Sequence, residues 1–219
     1  MKECKGNKQM KHIIFDLDGT LLDSMQAWKN IGRDFLIKKG ITPPSNLRQK
    51  MKNLTIPQAA QYFISEFSLA LSVDEMVKEI IALVADKYKY EVQLKPYAFE
   101  FLEKQKRLGT KMCILTASEP NYIHAALERL AILPFFEFIM TCSQVGLTKQ
   151  NPQVFHMAME KLNGTIEDTM VVEDALYAIR SAKEAGFYVV GMEDETAMED
   201  KLEIARLCNR YITSYKELL

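Results

Sequence analysis

Five short apolar segments constrain the fold of this chain more than any other feature of its sequence. None of them alternates apolar with polar residues, and unbroken apolar runs of this length are typical of strands buried on both faces of a sheet. We predict strands at His12–Asp16, Lys111–Leu115, Phe138–Cys142, Thr169–Val172 and Tyr188–Met192. Segments with helical periodicity separate the last four runs, and Gly109, Gly164 and Gly186 mark helix ends. This alternation predicts an α/β fold with a doubly wound parallel sheet.

A long helical stretch follows the first strand and interrupts this alternation. Within it, Ser72-Val73-Asp74-Glu75 has the sequence pattern of a capping box, in which the serine and the glutamate satisfy free backbone N–H groups at the start of a helix. A helical block at this position is typical of a small domain inserted into a larger one. We therefore predict a catalytic core of residues 1–24 and 92–219 and a helical cap of residues 25–91.

Composition argues against several classes of function. The net charge is −1, so nothing indicates the basic surface that binds nucleic acid. No apolar run approaches the roughly 20 residues that a membrane-spanning helix needs. Residues 1–11 are polar and rich in lysine, unlike a secretory signal. We expect a cytoplasmic protein, a monomer or weak dimer, with no membrane or nucleic-acid partner.

The cysteines and histidines form no pattern of a metal site or a disulfide framework. The cysteines are scattered along the chain at Cys4, Cys113, Cys142 and Cys208. Their spacing contains neither a C-x-x-C pair nor a zinc-binding arrangement. Cys113 and Cys142 lie within apolar runs, which predicts buried thiols that pack as small apolar side chains. We expect His12, His124 and His156, which are isolated from one another, to be structural or exposed.

The segment Phe15–Ser24 carries the strongest chemical signal. Its sequence, F-D-L-D-G-T-L-L-D-S, directly follows the first predicted strand. Ligand sites in parallel sheets lie beyond the carboxyl ends of the strands, so Asp16 and Asp18 are expected to come together there. Two adjacent carboxylates repel each other unless a cation lies between them or one carries a proton. Both conditions suit phosphoryl transfer, whereas a simple surface turn does not explain the apolar residues Phe15 and Leu17 among the acids.

This segment resembles the first motif of the haloacid dehalogenase superfamily, in particular its phosphatase and β-phosphoglucomutase-like branch. The resemblance extends from about Lys11 to Leu219 and implies a Rossmann-like core with a helical cap inserted after the motif. It also implies an Mg²⁺-dependent phosphatase that acts on a small phosphorylated metabolite, such as a sugar phosphate. In such an enzyme Asp16 is the nucleophile that forms an aspartyl-phosphate, and Asp18 is the general acid and base.

The second motif of the family is matched by Ile114-Leu115-Thr116-Ala117-Ser118, at the end of a predicted strand. A threonine in this position is, by itself, often only a helix cap. The resemblance implies instead that its hydroxyl holds phosphate together with backbone N–H groups near the start of the next helix. The implied phosphate-binding residues are Asp18, Gly19, Thr116, Ala117 and Lys149.

The third motif is matched by Lys149-Gln150-Asn151-Pro152, with Gln150 where proline is usual. That departure affects the stiffness of the loop more than its charge. A lone lysine is normally a solvated surface charge. The resemblance implies a different role for Lys149, which would neutralise the nucleophile and the phosphate that otherwise repel each other.

The fourth motif is matched by Val171-Val172-Glu173-Asp174, after the fourth predicted strand. Ala175 follows where serine is common, so one hydrogen bond of this loop is expected to be missing. Two acids here could be ordinary charges at a helix N-terminus, but with Asp16 they offer the hard oxygen ligands that suit Mg²⁺. The resemblance implies four ligands: the side chains of Asp16 and Asp174, the backbone carbonyl of Asp18, and Glu173 directly or through water.

Alternative functions remain open beside the phosphatase. A phosphomutase of the β-phosphoglucomutase kind carries a histidine in the first cap helix, which gates the general acid, whereas this chain has Trp28 at that position. A non-catalytic binding protein on the same fold is expected to have lost an acid, and none is lost here. A dehalogenase does not need the second aspartate, which is present as Asp18.

Cap residues leave the identity of the substrate open. Four basic or polar residues of this region are Arg48, Lys50, Lys52 and Asn53. Their side chains either contact distal groups of a substrate or form a solvated helix face. Trp28 and Met25 either line the pocket or pack within the cap. The sequence alone does not decide between these roles.

Overall fold

Six parallel strands form one sheet in the computed structural model, which describes residues 10–51 and 54–219. The strands are β1 (His12–Phe15), β2 (Lys111–Thr116), β3 (Phe138–Thr141), β4 (Thr169–Glu173), β5 (Tyr188–Met192) and β6 (Arg210–Ile212). Their spatial order is β3-β2-β1-β4-β5-β6, the doubly wound order of Rossmann-like sheets. The predicted α/β fold and the five predicted strands are confirmed, with ends that differ by at most one residue.

The sixth strand was not predicted from the sequence pattern. Its three residues are too short for a periodicity to be recognised, and they include a charged and an aromatic side chain rather than an apolar run. Pairing with β5, from Val190 opposite Arg210 to Met192 opposite Ile212, defines it. Asn209 aligns this edge, because its backbone N–H donates to the Val189 carbonyl over 2.8 Å and its side-chain oxygen accepts from the Val189 N–H over 2.9 Å.

The described residues contain ten α-helices. They are α1 (Met25–Lys38), α2 (Leu47–Met51), α3 (Ile56–Glu66), α4 (Val73–Tyr90), α5 (Ala98–Arg107), α6 (Pro120–Arg129), α7 (Cys142–Val145), α8 (Gln153–Lys161), α9 (Leu176–Glu184) and α10 (Lys201–Leu207). As predicted, α5, α8 and α9 end shortly before glycines. None of these helices is both long and apolar enough to cross a membrane.

The chain divides into two compact units. The core unit ends at Met25 and resumes as Gln93–Leu219, and the helical unit is Gln26–Val92. The core unit therefore contains the sheet and helices α5 to α10. The assignment of these units as a catalytic core and a cap remains a prediction.

Alternate residues of the central strand β1 face opposite sides of the sheet, as the two-residue period of a strand requires. Ile14 belongs to an apolar cluster with Phe155 of α8 and Ile179 of α9. On the other face, the Phe15 ring packs edge-on against Phe101 of α5, with ring centroids 6.2 Å apart. Burying a large apolar side chain in this way stabilises the fold by about 1.5–3 kcal/mol. Helices on both faces thus hold β1 in the centre of the core unit.

The helical unit has an apolar interior of its own. Phe35 of α1 and Phe63 of α3 are fully buried, and their ring centroids lie 5.9 Å apart. The predicted capping box is present at the start of α4, because the Ser72 hydroxyl accepts from the Glu75 N–H and the Glu75 carboxylate accepts from the Ser72 N–H over 2.8 Å.

The structure shows the contacts of several side chains of the helical unit whose roles the sequence left open. The Trp28 indole N–H donates to the Tyr88 hydroxyl over 2.9 Å, and Tyr88 is fully buried. Trp28 is thus tied to the interior of this unit. Lys50 forms an exposed ion pair with Glu66 at 3.0 Å, and Arg48 is exposed, which favours the solvated helix face. Lys52, Asn53 and Cys4 lie outside the described residues.

The other cysteines and histidines have structural or surface positions, with one correction. Cys113 is buried as predicted, but Cys142 is only half-buried, because it begins α7 at the exposed edge of the sheet. His12 is buried and pairs with Asp168 at 3.0 Å, with both groups near the amino end of the sheet. His124 is exposed and His156 is partly buried.

Candidate active site

The carboxyl ends of β1 and β4 lie side by side at the point where the strand order reverses. From β1 the chain continues outward to β2 and β3, whereas β4 leads outward in the other direction to β5 and β6. Loops that diverge from neighbouring strands leave a crevice between them, where open α/β sheets bind ligands. Phe15 is paired with Val172, and the Asp16 N–H donates to the Val172 carbonyl over 2.9 Å. Asp16 therefore lies beside the end of β4.

A tight turn after β1 brings the first motif against β4. The Leu17 side chain is fully buried, and its carbonyl accepts hydrogen bonds from the N–H groups of Leu21 and Leu22 over 2.9 and 2.8 Å. Gly19 has a φ of +86°, and a Cβ added there would lie 2.5 Å from a carboxylate oxygen of Asp174. The turn thus requires glycine both for its backbone conformation and for its close approach to the end of β4.

A buried lysine lies among the acids of this site. Lys149 is 3% exposed, and its ammonium group donates to the Asp16 carboxylate and, over 2.9 Å, to the Glu173 carboxylate. The loop between α7 and α8 carries it there. Gln150, which replaces the usual proline, is exposed, and the turn is closed by a hydrogen bond from the Asn151 N–H to the Thr148 carbonyl over 3.0 Å.

The acids that end β4 are held by different partners. The second carboxylate oxygen of Glu173 accepts from the N–H groups of Asp174 and Ala175, each over 3.2 Å. It thereby satisfies the start of α9, where the N-cap residue Ala175 makes no side-chain hydrogen bond, as predicted. Asp174 accepts a hydrogen bond from the buried Thr20 hydroxyl over 2.9 Å. Both Glu173 oxygens are therefore engaged, whereas Asp174 keeps one oxygen that faces Gly19.

Burial and mutual repulsion shape the electrostatics. Burial, followed by the charges of Asp16 and Glu173, raises the pKa of Asp174 well above its ordinary value. Burial and the Asp16 charge also raise the pKa of Glu173. For Lys149, burial alone lowers the pKa, but the neighbouring carboxylates outweigh this effect and raise it, so the ammonium group stays protonated.

The three carboxylates fit a divalent metal ion. Oxygen atoms of Asp16, Glu173 and Asp174 all lie within 4.8 Å of one another, and the three residues are buried. Three ionised carboxylates around one ammonium group leave an excess of two negative charges, which is the charge that a divalent cation neutralises. Asp16 Oδ2 is buried without a hydrogen-bond partner, although a buried carboxylate oxygen normally has one. These are hard oxygen donors of the kind that Mg²⁺ prefers.

Asp18 occupies a separate position, between two serines. Its Oδ1 accepts from the Ser24 hydroxyl over 2.7 Å, and its Oδ2 accepts from the Ser118 hydroxyl over 2.5 Å. Ser118 belongs to the turn that follows β2, where its backbone N–H donates to the Thr116 hydroxyl over 3.0 Å. The end of β2 therefore contributes to the same site as the ends of β1 and β4.

Comparisons with known proteins agree with this geometry. Residues 13–192 match the sequence profile of a family described as haloacid dehalogenase-like hydrolase. The chain belongs to the haloacid dehalogenase-like hydrolases. The resemblance inferred from the four motifs is thereby confirmed, and this hydrolase has the sheet expected of the family with its acids at the carboxyl ends of the strands.

Relatives of this hydrolase include named phosphatases. A validoxylamine A 7'-phosphate phosphatase of Streptomyces hygroscopicus subsp. limoneus is 26% identical over an alignment of 186 positions that covers 83% of this chain and 85% of the relative. A glyceraldehyde 3-phosphate phosphatase of Pyrococcus furiosus is 27% identical over an alignment of 224 positions that covers 97% of this chain and 92% of the relative. The predicted enzyme class, a phosphoric monoester hydrolase of the haloacid dehalogenase type, is confirmed.

A solved structure shares the fold of this hydrolase. It is that of a candidate β-phosphoglucomutase from Thermotoga maritima, with a TM-score of 0.81 at 20% sequence identity over 93% of this chain and 94% of the other. At this identity the likeness concerns the fold and does not choose between a phosphatase and a mutase.

The structure places the predicted site residues of this hydrolase in two neighbouring groups. One group consists of the buried set Asp16, Lys149, Glu173 and Asp174. The other consists of Asp18 and Thr116, linked through Ser118. Gly19 lies against Asp174, and Ala117 is exposed in the turn after β2. The roles assigned to these residues remain predictions.

Three hydroxyl groups belong to the site although the sequence reasoning did not assign them to it. Thr20 bonds to Asp174, and Ser24 and Ser118 bond to Asp18. Thr20 and Ser24 are buried. The signal available in the sequence was their position among the acids of the first motif. Ser118 lies at the end of the second motif match, but its partner could not be found from the sequence, because Asp18 is 100 positions away in the chain.

Proposed function

We propose that this protein is an Mg²⁺-dependent phosphatase that hydrolyses a small phosphorylated metabolite through an aspartyl-phosphate intermediate. The observation that carries the proposal is the environment of Asp16. One of its oxygens is paired with the buried Lys149 ammonium group, while the other is buried without a hydrogen-bond partner. In this proposal the unpartnered oxygen is left for the metal ion, and the oxygen that Lys149 orients attacks the phosphorus atom.

Asp16 attacks the phosphorus atom of the ester, and the bond between phosphorus and the leaving oxygen breaks. Asp18 donates a proton to that oxygen and then accepts a proton from the water that hydrolyses the acyl phosphate. Lys149 stays protonated and stabilises the negative charge that gathers on the transferring group. The Thr116 hydroxyl, which accepts a bond from Ser118, can still donate its own proton to a phosphate oxygen.

The residues that hold Mg²⁺ in this proposal are Asp16 and Asp174, with the Asp18 backbone carbonyl as a further ligand. Bound Mg²⁺ supplies positive charge that reduces the repulsion between the nucleophile and a phosphate. Glu173 is assigned to a water-mediated role, because Lys149 and two backbone N–H groups already engage both of its oxygens. The helical unit is proposed to act as the cap that selects the substrate.

A phosphomutase activity is the second candidate, and one observation argues against it. A mutase needs a polar group that holds its general acid back until the sugar is bound. At the position where such enzymes have histidine, the Trp28 indole N–H is engaged with Tyr88, and an indole can only donate a hydrogen bond. A non-catalytic role is disfavoured because every acid and the lysine of the site are present.

The experiment that tests the proposal is the replacement Asp16→Asn. We expect the rate of phosphate release from small phosphate esters to fall to near background, while circular dichroism and the melting temperature show an intact fold. Rapid quenching of the wild-type enzyme with a labelled ester should trap phosphate on Asp16, and hydroxylamine should release it. Activity of the variant within tenfold of the wild type would contradict the nucleophile assignment.

A further inference from the structure

The Asp18 carboxylate is held by hydroxyl groups on both of its oxygens, from two separate parts of the core unit. Ser24, which is fully buried, directly precedes α1 and bonds to Oδ1. Ser118, which is 9% exposed, lies beyond the end of β2 and bonds to Oδ2. Distances of 2.7 and 2.5 Å lie within the range of well-formed O–H···O hydrogen bonds. The carboxylate is therefore fixed in orientation by the tertiary structure.

The Ser118 hydroxyl is itself well positioned. Its backbone N–H donates to the Thr116 hydroxyl, so the turn that carries it is tied to the end of β2. Its side chain also hydrogen-bonds with the Tyr122 hydroxyl, and Tyr122 is buried in α6 and accepts from the Glu119 N–H over 3.1 Å. A hydroxyl held in this way keeps its partner in one orientation.

We propose that Ser118 is a positioning residue that aligns Asp18 for proton transfer. This inference rests on the proposed function, in which Asp18 is the general acid and base. Proton transfer depends steeply on geometry, and a misplaced group loses rate even when substrate binding is unchanged. Ser118 thus links the second motif to the first, since the strand end that carries Thr116 also orients Asp18.

The test compares two substrates that differ in their need for an acid. An aryl phosphate such as p-nitrophenyl phosphate leaves readily without a proton, whereas an alkyl phosphate such as glycerol phosphate does not. Ser118→Ala is expected to lower kcat for the alkyl ester by about tenfold, the loss in rate that corresponds to the free energy of one hydrogen bond. Its KM and its single-turnover phosphorylation by the aryl ester should stay within about threefold of the wild type.

Controls separate alignment from a general loss of structure. Ser143→Ala removes a hydroxyl at the same edge of the sheet. This hydroxyl bonds to Glu119 rather than to Asp18, so the variant should keep the wild-type rate with both substrates. Ser118→Thr keeps the hydroxyl and should retain most of the alkyl ester rate. A threonine variant as slow as the alanine variant, or equal losses on both esters in Ser118→Ala, would overturn the proposal.

A double variant distinguishes this inference from the proposed function. If Ser118 acts through Asp18, then Ser118→Ala should cause little further loss in an Asp18→Asn background. Losses that multiply would overturn the positioning role. If instead Asp18→Asn itself fails to discriminate between the alkyl and aryl esters, the proposed role of Asp18 as the acid fails, and the inference about Ser118 fails with it.

Discussion

At the scale of single residues, the site concentrates buried charge that is only partly compensated. Lys149 is 3% exposed and neutralises part of the charge of three buried carboxylates. Removing one partner of a buried ion pair typically costs 3–5 kcal/mol, because the remaining charge stays buried. Such an arrangement is costly for a purely structural role. In the proposed function each buried charge has a ligand of opposite sign, because the carboxylates face the metal ion and the Lys149 ammonium group faces the substrate phosphate.

A prediction at this scale concerns Asp18→Asn. The variant keeps the backbone carbonyl and should keep metal binding, but it loses the proton that the leaving group needs. We expect kcat for an alkyl phosphate to fall by about 10²–10⁴-fold. Phosphorylation of Asp16 by an aryl phosphate, measured in a single turnover, should fall much less. Equal losses for both esters would argue against Asp18 as the acid.

At the scale of elements, the geometry of the candidate site depends on how closely the loop after β1 approaches the end of β4. Gly19 makes this approach possible, because no side chain fits between the turn and Asp174. The neighbouring hydrogen bond from Thr20 to Asp174 then ties the two strand ends together. The turn after β2 contributes Ser118 to the candidate site, and the loop between α7 and α8 contributes Lys149.

Gly19→Ala tests this approach, and Gly109→Ala is its matched control. Both glycines have φ values near +80°, at +86° and +75°, so both substitutions strain the backbone by about 1–2 kcal/mol. Only at Gly19 does the added Cβ meet another group, since nothing lies within 4 Å of the corresponding position at Gly109. Both variants should melt at a lower temperature, but only Gly19→Ala should lose most of its phosphatase activity. Similar activities of the two would exclude a role for the close approach.

At the scale of the whole molecule, the charged site affects the stability of the core unit. The pKa values of Glu173 and Asp174 are raised in the folded state, with burial as the main cause. Their ionisation therefore destabilises the fold as the pH rises above the ordinary range of carboxyl pKa values, because the unfolded chain releases these protons more readily. A bound cation opposes this effect, so metal binding and folding should be coupled.

Chelation tests that coupling. EDTA should abolish activity, and Mg²⁺ should restore it and raise the melting temperature by about 5–10 °C when its concentration is 100 times its dissociation constant. Ca²⁺ should bind but inhibit, because its larger coordination shell can engage both oxygens of Asp16.

Asp174→Asn should weaken the rise in melting temperature that Mg²⁺ causes, whereas Glu119→Gln, at an exposed acid of the same edge of the sheet, should not. Full activity in the chelator would contradict the metal assignment.

A second prediction for the whole molecule separates hydrolysis from isomerisation. The enzyme is incubated with β-glucose 1-phosphate and a trace of glucose 1,6-bisphosphate, and both glucose 6-phosphate and inorganic phosphate are followed. We expect phosphate release without isomerisation, because Trp28 offers no proton-transfer group to protect the aspartyl-phosphate from water. Rapid isomerisation with little phosphate release would establish a mutase instead.

Sequence alone determined the features that depend on local pattern. Unbroken apolar runs predicted β1 to β5, since a strand buried on both faces must be apolar throughout. The two acids that follow the first run predicted part of the site, because parallel strands present their carboxyl ends at one edge. The roles predicted for Thr116 and Lys149 came from the resemblance to the haloacid dehalogenase superfamily. The short edge strand β6 escaped this reasoning, because its pairing with β5, and not a periodic pattern, defines it.

Only the tertiary structure decided how individual oxygen atoms are used. It showed that both oxygens of Glu173 are engaged, that one oxygen of Asp16 is not, and that Asp18 is held by Ser24 and Ser118. Whether a hydrogen bond of this kind forms depends on differences of a few tenths of an ångström in the distance between two atoms. The residues that carry these atoms are up to 100 positions apart in the chain. A sequence pattern specifies which residues reach an edge of the sheet, whereas packing of the whole core sets the distances between their atoms.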